Sequence, residues 1–327
     1  MYILYRYIFK IKIPSVNKIA LYYLTEEVVL MKESRAIFSA MGFSIIIGLS
    51  FMFVKISINY ENELLVLAQR FAFAFIAVLI FIIIKPINLK LNFKEFLIVF
   101  IISIFYPIIF FSSQILGLSQ TTVTEAGIIQ AIAPAITVLL GIIFLKENVK
   151  KSQIFGILLS IVGVIFLQLM NVKGVGELHF IGNMLIVVSI FATAIWQVLS
   201  RSVTQKIAPI KVTIYIMVIG VIFFNSLYFF KGGSFYGYVQ SITQIQYLVA
   251  IIFLGVLSTF GTSLLSIYAV SKLPVIQVTV FNNVATLITI LSGILILKEP
   301  FYYYHILGAL IIILGVILVN KKTPKSK

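Results

Sequence analysis

KENVKKSQIFGILLSIVGVIFL, residues 146–167, and KEPFYYYHILGALIIILGVILV, residues 298–319, are one passage written twice. Lys146-Glu147, Gly156 and Gly163 return as Lys298-Glu299, Gly308 and Gly315, always 152 positions later. The register extends outward. ILGLSQTTVTEAG, from Ile115, lines up with IYAVSKLPVIQVT, from Ile267, at the same offset. Further upstream, Gly48–Lys55 parallels Ala194–Arg201. The chain is therefore an internal duplication, and the duplicated unit sets the fold.

Composition says what solvent that unit lives in. Hydrophobic residues are 61% of the 327 and charged residues only 11%, against about 45–50% and about 25% in soluble domains. Mean hydropathy is +1.14. A soluble domain of this size cannot hide so much apolar surface, so the expected fold is an all-α integral membrane protein. There is no cysteine, which excludes disulfides and thiol chemistry, and every acidic residue is Glu. The two histidines, His179 and His305, fall near predicted helix ends and suggest neither a metal nor a hydrolytic site. No cofactor is expected, and the chain reads as no enzyme.

Ten apolar segments approach the roughly 20 residues needed to cross a bilayer. They run near 36–55, 64–84, 96–117, 122–145, 153–170, 180–200, 210–230, 246–268, 274–297 and 303–320. With the N-terminus inside, 20 Lys/Arg fall on the cytoplasmic side and four outside, Lys55, Lys173, Lys231 and Lys298; Arg70 lies within a span. This asymmetry predicts both termini in the cytoplasm of a bacterial plasma membrane. The net charge of +15 is then an orientation signal, not a nucleic-acid footprint. Five spans per repeat is an odd number, so the second repeat enters from the opposite face, and the two five-helix repeats are inverted. The predicted layout is an N-terminal cytoplasmic or interfacial segment at 1–35, repeats at 36–172 and 173–320, and a basic tail at 321–327. The basic, aromatic stretch before Met31 is either an interfacial anchor or lies upstream of a true start at Met31. N-terminal sequencing of the expressed protein decides between them.

Ten spans, a duplicated five-helix unit and the repeated Lys-Glu…Gly…Gly signature resemble the drug/metabolite transporter superfamily, EamA type. Gly48 and Lys55 in the first segment, Arg70 in the second, and Ala126 and Pro134 in the fourth add to the resemblance, which covers about residues 36–320. It departs at Ile47, where Trp is common, and at Thr286, the counterpart of Pro134. The resemblance implies permeases that move small organic metabolites, often by efflux, without ATP.

Polar groups inside a bilayer are costly, which makes the few present informative. Gln130 and Pro134 share a face of the fourth segment, and Pro134 leaves the Gln130 carbonyl without its helical partner. Asn282 and Asn283 occupy the equivalent place in the ninth, so Gln130 faces Asn282 in repeat register. Trp196 and Gln197 lie in the sixth segment. Tyr106 and Gln114 in the third and Tyr268 in the eighth add polar contacts. Arg70 either binds a substrate carboxylate, pairs with Glu125, or snorkels outward. Glu125 is either a proton-coupling or amine-binding carboxylate, or a water-open charge at a helix start. The glycines read as packing, and the Lys-Glu pairs either as latches in one access state or as solvated, weak ion pairs.

These residues predict a secondary transporter working by alternating access at a midplane site, most suited to amino acids or related amphipathic solutes. The expected partners are a small-molecule substrate, the lipid bilayer and, if Glu125 titrates, protons, with the chain a monomer or homodimer. A passive channel and a non-transporting membrane protein stay open at this level. The absence of Asp and Cys, of a nucleotide loop and of a His cluster in any span argues against catalysis.

Overall fold

The computed structural model describes residues 18–145, 151–171, 177–273 and 281–320. No strand occurs among them. In hydrocarbon each backbone N–H and C=O must be bonded within the protein, and a helix does this within one segment. The helices, in order, are α1 (Lys18–Ile58), α2 (Glu63–Ile84), α3 (Phe93–Ser103), α4 (Phe110–Gln120), α5 (Val123–Gln130), α6 (Ala133–Leu145), α7 (Lys151–Asn171), α8 (Glu177–Val203), α9 (Pro209–Phe230), α10 (Phe235–Ser241), α11 (Ile245–Ile252), α12 (Thr262–Lys272), α13 (Asn282–Leu295) and α14 (Tyr303–Asn320). Seven stretches among the described residues are long and apolar enough to cross a membrane, and three shorter apolar helices, 154–167, 284–295 and 303–318, accompany them.

The helix boundaries follow local chemistry. Asn62 caps α2 by accepting from Leu65 N, and Asn92 forms a reciprocal capping box with Glu95 at the start of α3. Thr122 caps α5 through Glu125 N, and Pro209 opens α9 at its first turn. One boundary differs from expectation: α1 begins at Lys18, not near residue 36. Pro14 lies upstream, and from Lys18 to Met41 neither Pro nor Gly interrupts the chain, so the helix continues through Met31 and Arg35.

Three long segments are broken mid-course. Between α5 and α6 the helix opens at Ala131 and Ile132, just before Pro134, as expected where a proline removes a donor. Between α3 and α4 lies a π-helical stretch, Ile104–Ile109, with Tyr106 out of helical geometry beside Pro107. Between α11 and α12 lies a second, Phe253–Gly261. Shifted by 152 positions, the first falls on 256–261, inside the second. Where Thr286 stands in place of a proline, α13 runs unbroken, while residues 274–280 lie outside the described residues.

Packing is set by small residues. α7 and α14 meet along one seam, where a Cβ on Gly163 would come 2.6 Å from Ile312 Cγ1, and one on Gly315 would strike Ser160 Oγ and come 2.6 Å from the Gly156 carbonyl. Ser160 and Ile312 are register mates, so the two contacts are reciprocal, and Ser160 Oγ reaches the Ile312 carbonyl at 3.4 Å. α4 and α8 cross with equally little space, since a Cβ on Gly117 would lie 2.9 Å from the Gly182 carbonyl. Gly48 admits α13 against α1 in the same way, 2.8 Å from the Ala285 carbonyl. The glycines are packing positions, as expected. Gly315→Ala is expected to overpack this seam by about 1–3 kcal/mol and to lower the apparent melting temperature in detergent. Gly42→Ala, which would meet only Leu265 Cδ1 at 3.5 Å, is the control and leaves the melting temperature unchanged.

Candidate functional site

The two π-helical stretches build the centre of the molecule. Tyr106 and Ser258 are register mates, and each falls halfway along a 28-residue apolar stretch, Phe93–Gln120 and Ile245–Lys272. Tyr106 is 3% exposed. Its ring stacks on Trp196 of α8, with centroids 4.4 Å apart, and its hydroxyl lies 3.1 Å from Ser263 Oγ. Arg70 reaches into the same region from α2 and is 1% exposed. Its Nε donates to Thr259 Oγ1 at 2.6 Å and its Nη2 to Ser258 Oγ at 2.9 Å. The guanidinium lies over the Phe111 ring, 4.3 Å from its centroid. Thr259 in turn donates to the Leu254 carbonyl five residues back, the spacing of the wider helix. The distortion therefore places two hydroxyls where they fix the arginine's direction.

In the interior, several buried polar atoms have no hydrogen-bond partner among the described residues. They include both amide atoms of Gln114, Gln130 Oε1, Trp196 Nε1, Gln197 Oε1, Ser266 Oγ and Thr286 Oγ1. Gln114 and Ser266 are mates at the offset of 152. An unbonded buried polar atom costs about 1–3 kcal/mol, so each of these atoms calls for a partner that a bound solute or water can supply. The atoms can donate to and accept from a solute. They offer no nucleophile–base pair, and no group of three metal-ligating side chains occurs among the described residues.

One end of the bundle holds a second polar cluster. Glu125, 4% exposed, is held by His179 Nδ1 at 3.0 Å and Asn183 Nδ2 at 2.8 Å, with Thr121 Oγ1 at 3.2 Å. The close α4–α8 crossing at Gly117 and Gly182 puts Asn183 within reach. Glu299 accepts from Val123 N at 2.8 Å, Thr124 N at 2.7 Å and Thr124 Oγ1 at 2.7 Å. It thereby caps the positive end of α5. Lys55 donates to the Leu118 and Thr121 carbonyls, at 2.7 and 2.8 Å, at the C-terminal end of α4.

The structure thus brings Arg70, Tyr106 and Trp196 together, with Gln114 one turn from Phe111. Gln130 and Gln197 are buried with unpartnered oxygens. Three expectations are corrected. Arg70 neither snorkels nor pairs with Glu125, because the hydroxyls of the 253–261 stretch capture it in the interior. Glu125 is not open to water, because α8 covers it. Glu299 is no solvated ion-pair member but a helix cap; Lys146 and Glu147 lie outside the described residues. Tyr268 sits apart, half-buried in a small cluster with Ala36, Ala40 and Leu273. The side chains of Asn282 and Asn283 lie outside the described residues. Sequence reasoning missed Ser258, Thr259, Ser263 and Ser266. Their signal was available: Ser258, Ser263 and Ser266 are the mates of Tyr106, Phe111 and Gln114. His179 and Asn183, one turn apart in α8, carried no comparable mark.

Apolar helices of membrane-crossing length around a polar interior define a multi-pass membrane protein. More particularly, the chain belongs to the EamA-like transporter family, whose model matches residues 34–169 and again 180–321. It is 33% identical to the uncharacterized transporter YcxC of Bacillus subtilis, over 90% of this chain and 96% of that one. The UDP-xylose transporter 1 of Arabidopsis thaliana is 24% identical over 56% of this chain and 54% of its own. A solved crystal structure at 14% identity shares the fold, with a TM-score of 0.56, covering 85% of this chain and 94% of that one.

Removing the cap tests the geometry at the Glu125 end. Glu299→Ala leaves the Val123 and Thr124 amides unbonded and is expected to cost about 1–3 kcal/mol, seen as a lower melting temperature in detergent. Lys298→Ala, at an exposed side chain, is expected to have little effect. Equal behaviour of the two variants refutes the capping role.

Proposed function

We propose that the protein is a secondary transporter that carries small organic solutes across a bacterial plasma membrane by alternating access, with amino acids and related amphipathic solutes as its substrates. The observation that carries this reading is the pair Gln114 and Ser266, register mates buried at mid-membrane with no hydrogen-bond partner among the described residues. A solute entering between the repeats would supply what both lack. Gln130, Trp196, Gln197, Asn282 and Asn283 complete the proposed lining, with Arg70 and Tyr106 at its wall.

The proposed architecture is ten spans in two inverted five-helix repeats, with both termini cytoplasmic. Seven long and three shorter apolar helices support the number. Reciprocal contacts across the α7–α14 seam are the pattern a local two-fold axis generates, and the matched π-helical stretches support equivalent repeats. The Lys/Arg asymmetry supports the orientation. Glu125 is proposed as the proton-coupling group because its carboxylate is buried beside His179.

Reconstitution in liposomes tests the reading. A substrate-panel screen should find a solute with saturable uptake and counterflow; linear, non-saturable flux would point to a channel instead. Gln130→Ala with Asn282→Ala is expected to reduce flux at least about tenfold, the loss of one or two ligand hydrogen bonds, while membrane insertion stays normal. Unchanged flux removes these residues from the site. Glu125→Gln is expected to abolish any drive from a pH gradient, and persistence of that drive excludes the proton role.

A further inference from the structure

Resting on that reading of the central site, the geometry points to its substrate class: we infer that Arg70 receives the carboxylate of the transported solute, with Gln114, one helical turn from Phe111, as a second donor. Arg70 is 1% exposed beside Ser258, which lies halfway along its apolar stretch, and no carboxylate pairs with it among the described residues. Its partners there are two neutral hydroxyls and one aromatic face. Those contacts orient the guanidinium and leave its full charge uncompensated in a low-dielectric interior, where a lone cation is costly. A structural arginine at this depth would be expected to hold a fixed carboxylate; Glu125, the partner offered by the sequence analysis, is engaged with His179 and Asn183 instead.

The remaining geometry fits a carboxylate that arrives and leaves. Nε and one Nη2 proton are committed to Thr259 and Ser258, so Nη1 and the second Nη2 proton remain, the fork that matches a carboxylate in bidentate fashion. Gln114 lies one helical turn beyond Phe111, over which the guanidinium sits, and both its amide atoms are unpartnered. It can donate a further bond to a bound oxygen. Trp196 Nε1 is also unpartnered, and its ring is held against Tyr106, so its indole N–H can donate to a bound polar group. Arg70 is present in the second segment of one repeat only, which makes the recognition of charge asymmetric between the halves.

The single Trp196 reports binding without a label. Purified protein is titrated with acid–amide pairs that differ only in charge, L-phenylalanine with L-phenylalaninamide and indole-3-acetate with indole-3-acetamide, following Trp196 emission for the phenylalanine pair and competition or vesicle uptake for both. The expected result is that at least one acid binds at least about tenfold more tightly than its amide, that Arg70→Gln removes this preference while leaving amide binding in place, and that Arg70→Lys restores part of it. Equal binding of acid and amide by the native protein, or an acid preference that survives in Arg70→Gln, overturns the inference. Should Arg70→Gln fail to fold, the native acid–amide comparison decides alone. Saturable uptake of neutral solutes sensitive to Gln130→Ala, with no carboxylate bound, would sink the inference and keep the central site. No saturable uptake or binding of any solute would sink both.

Discussion

A backbone amide in hydrocarbon has no water to bond, and that constraint orders everything else in this protein. It makes every long segment helical, and it restricts irregular backbone to places covered by other helices. The three interruptions obey it. The break at Ala131–Ile132 and the two π-helical stretches lie where neighbouring helices pack on them. What the interruptions release is then available to side chains: Thr259 bonds the Leu254 carbonyl and accepts from Arg70 with the same oxygen. The polar interior is thus a by-product of helices that were bent only where bending could be hidden.

Close approach supplies the cover. Glycines at Gly48, Gly117, Gly163, Gly182 and Gly315 each face backbone or the root of a side chain on the partner helix. Without a hydrophobic drive between helices in lipid, such contacts are what association depends on. Charged residues are used sparingly at the Glu125 end, and there they serve helix termini: Glu299 on the start of α5, Lys55 on the finish of α4.

Much of this was legible before any coordinates. The repeated Lys-Glu…Gly…Gly passages identify the seam, because packing glycines must be kept wherever two backbones meet. Pro134 announces its break, because a missing N–H acts locally. The register at 152 also carried the serines of the second π-helical stretch, although serine is too common in membrane helices to be singled out unaided. What stayed hidden was long-range: that Arg70 turns to Ser258 and Thr259 rather than Glu125, and that Glu299 spans 175 positions to Thr124, follow from three-dimensional crossings that no local pattern encodes. α1 ran longer than its apolar core because helix formation needs only the absence of breakers, not continuous hydrophobicity.

The Glu299 clasp also bears on motion. Any motion that parts α5 from the turn before α14 must break three bonds, one to Glu299 Oε1 and two to Oε2. Its partners are backbone amides and a neutral hydroxyl, fixed to a helix end, so dissolved salt has little purchase on it. The side chain that makes these bonds lies 175 positions away in sequence from Thr124 on the helix it holds.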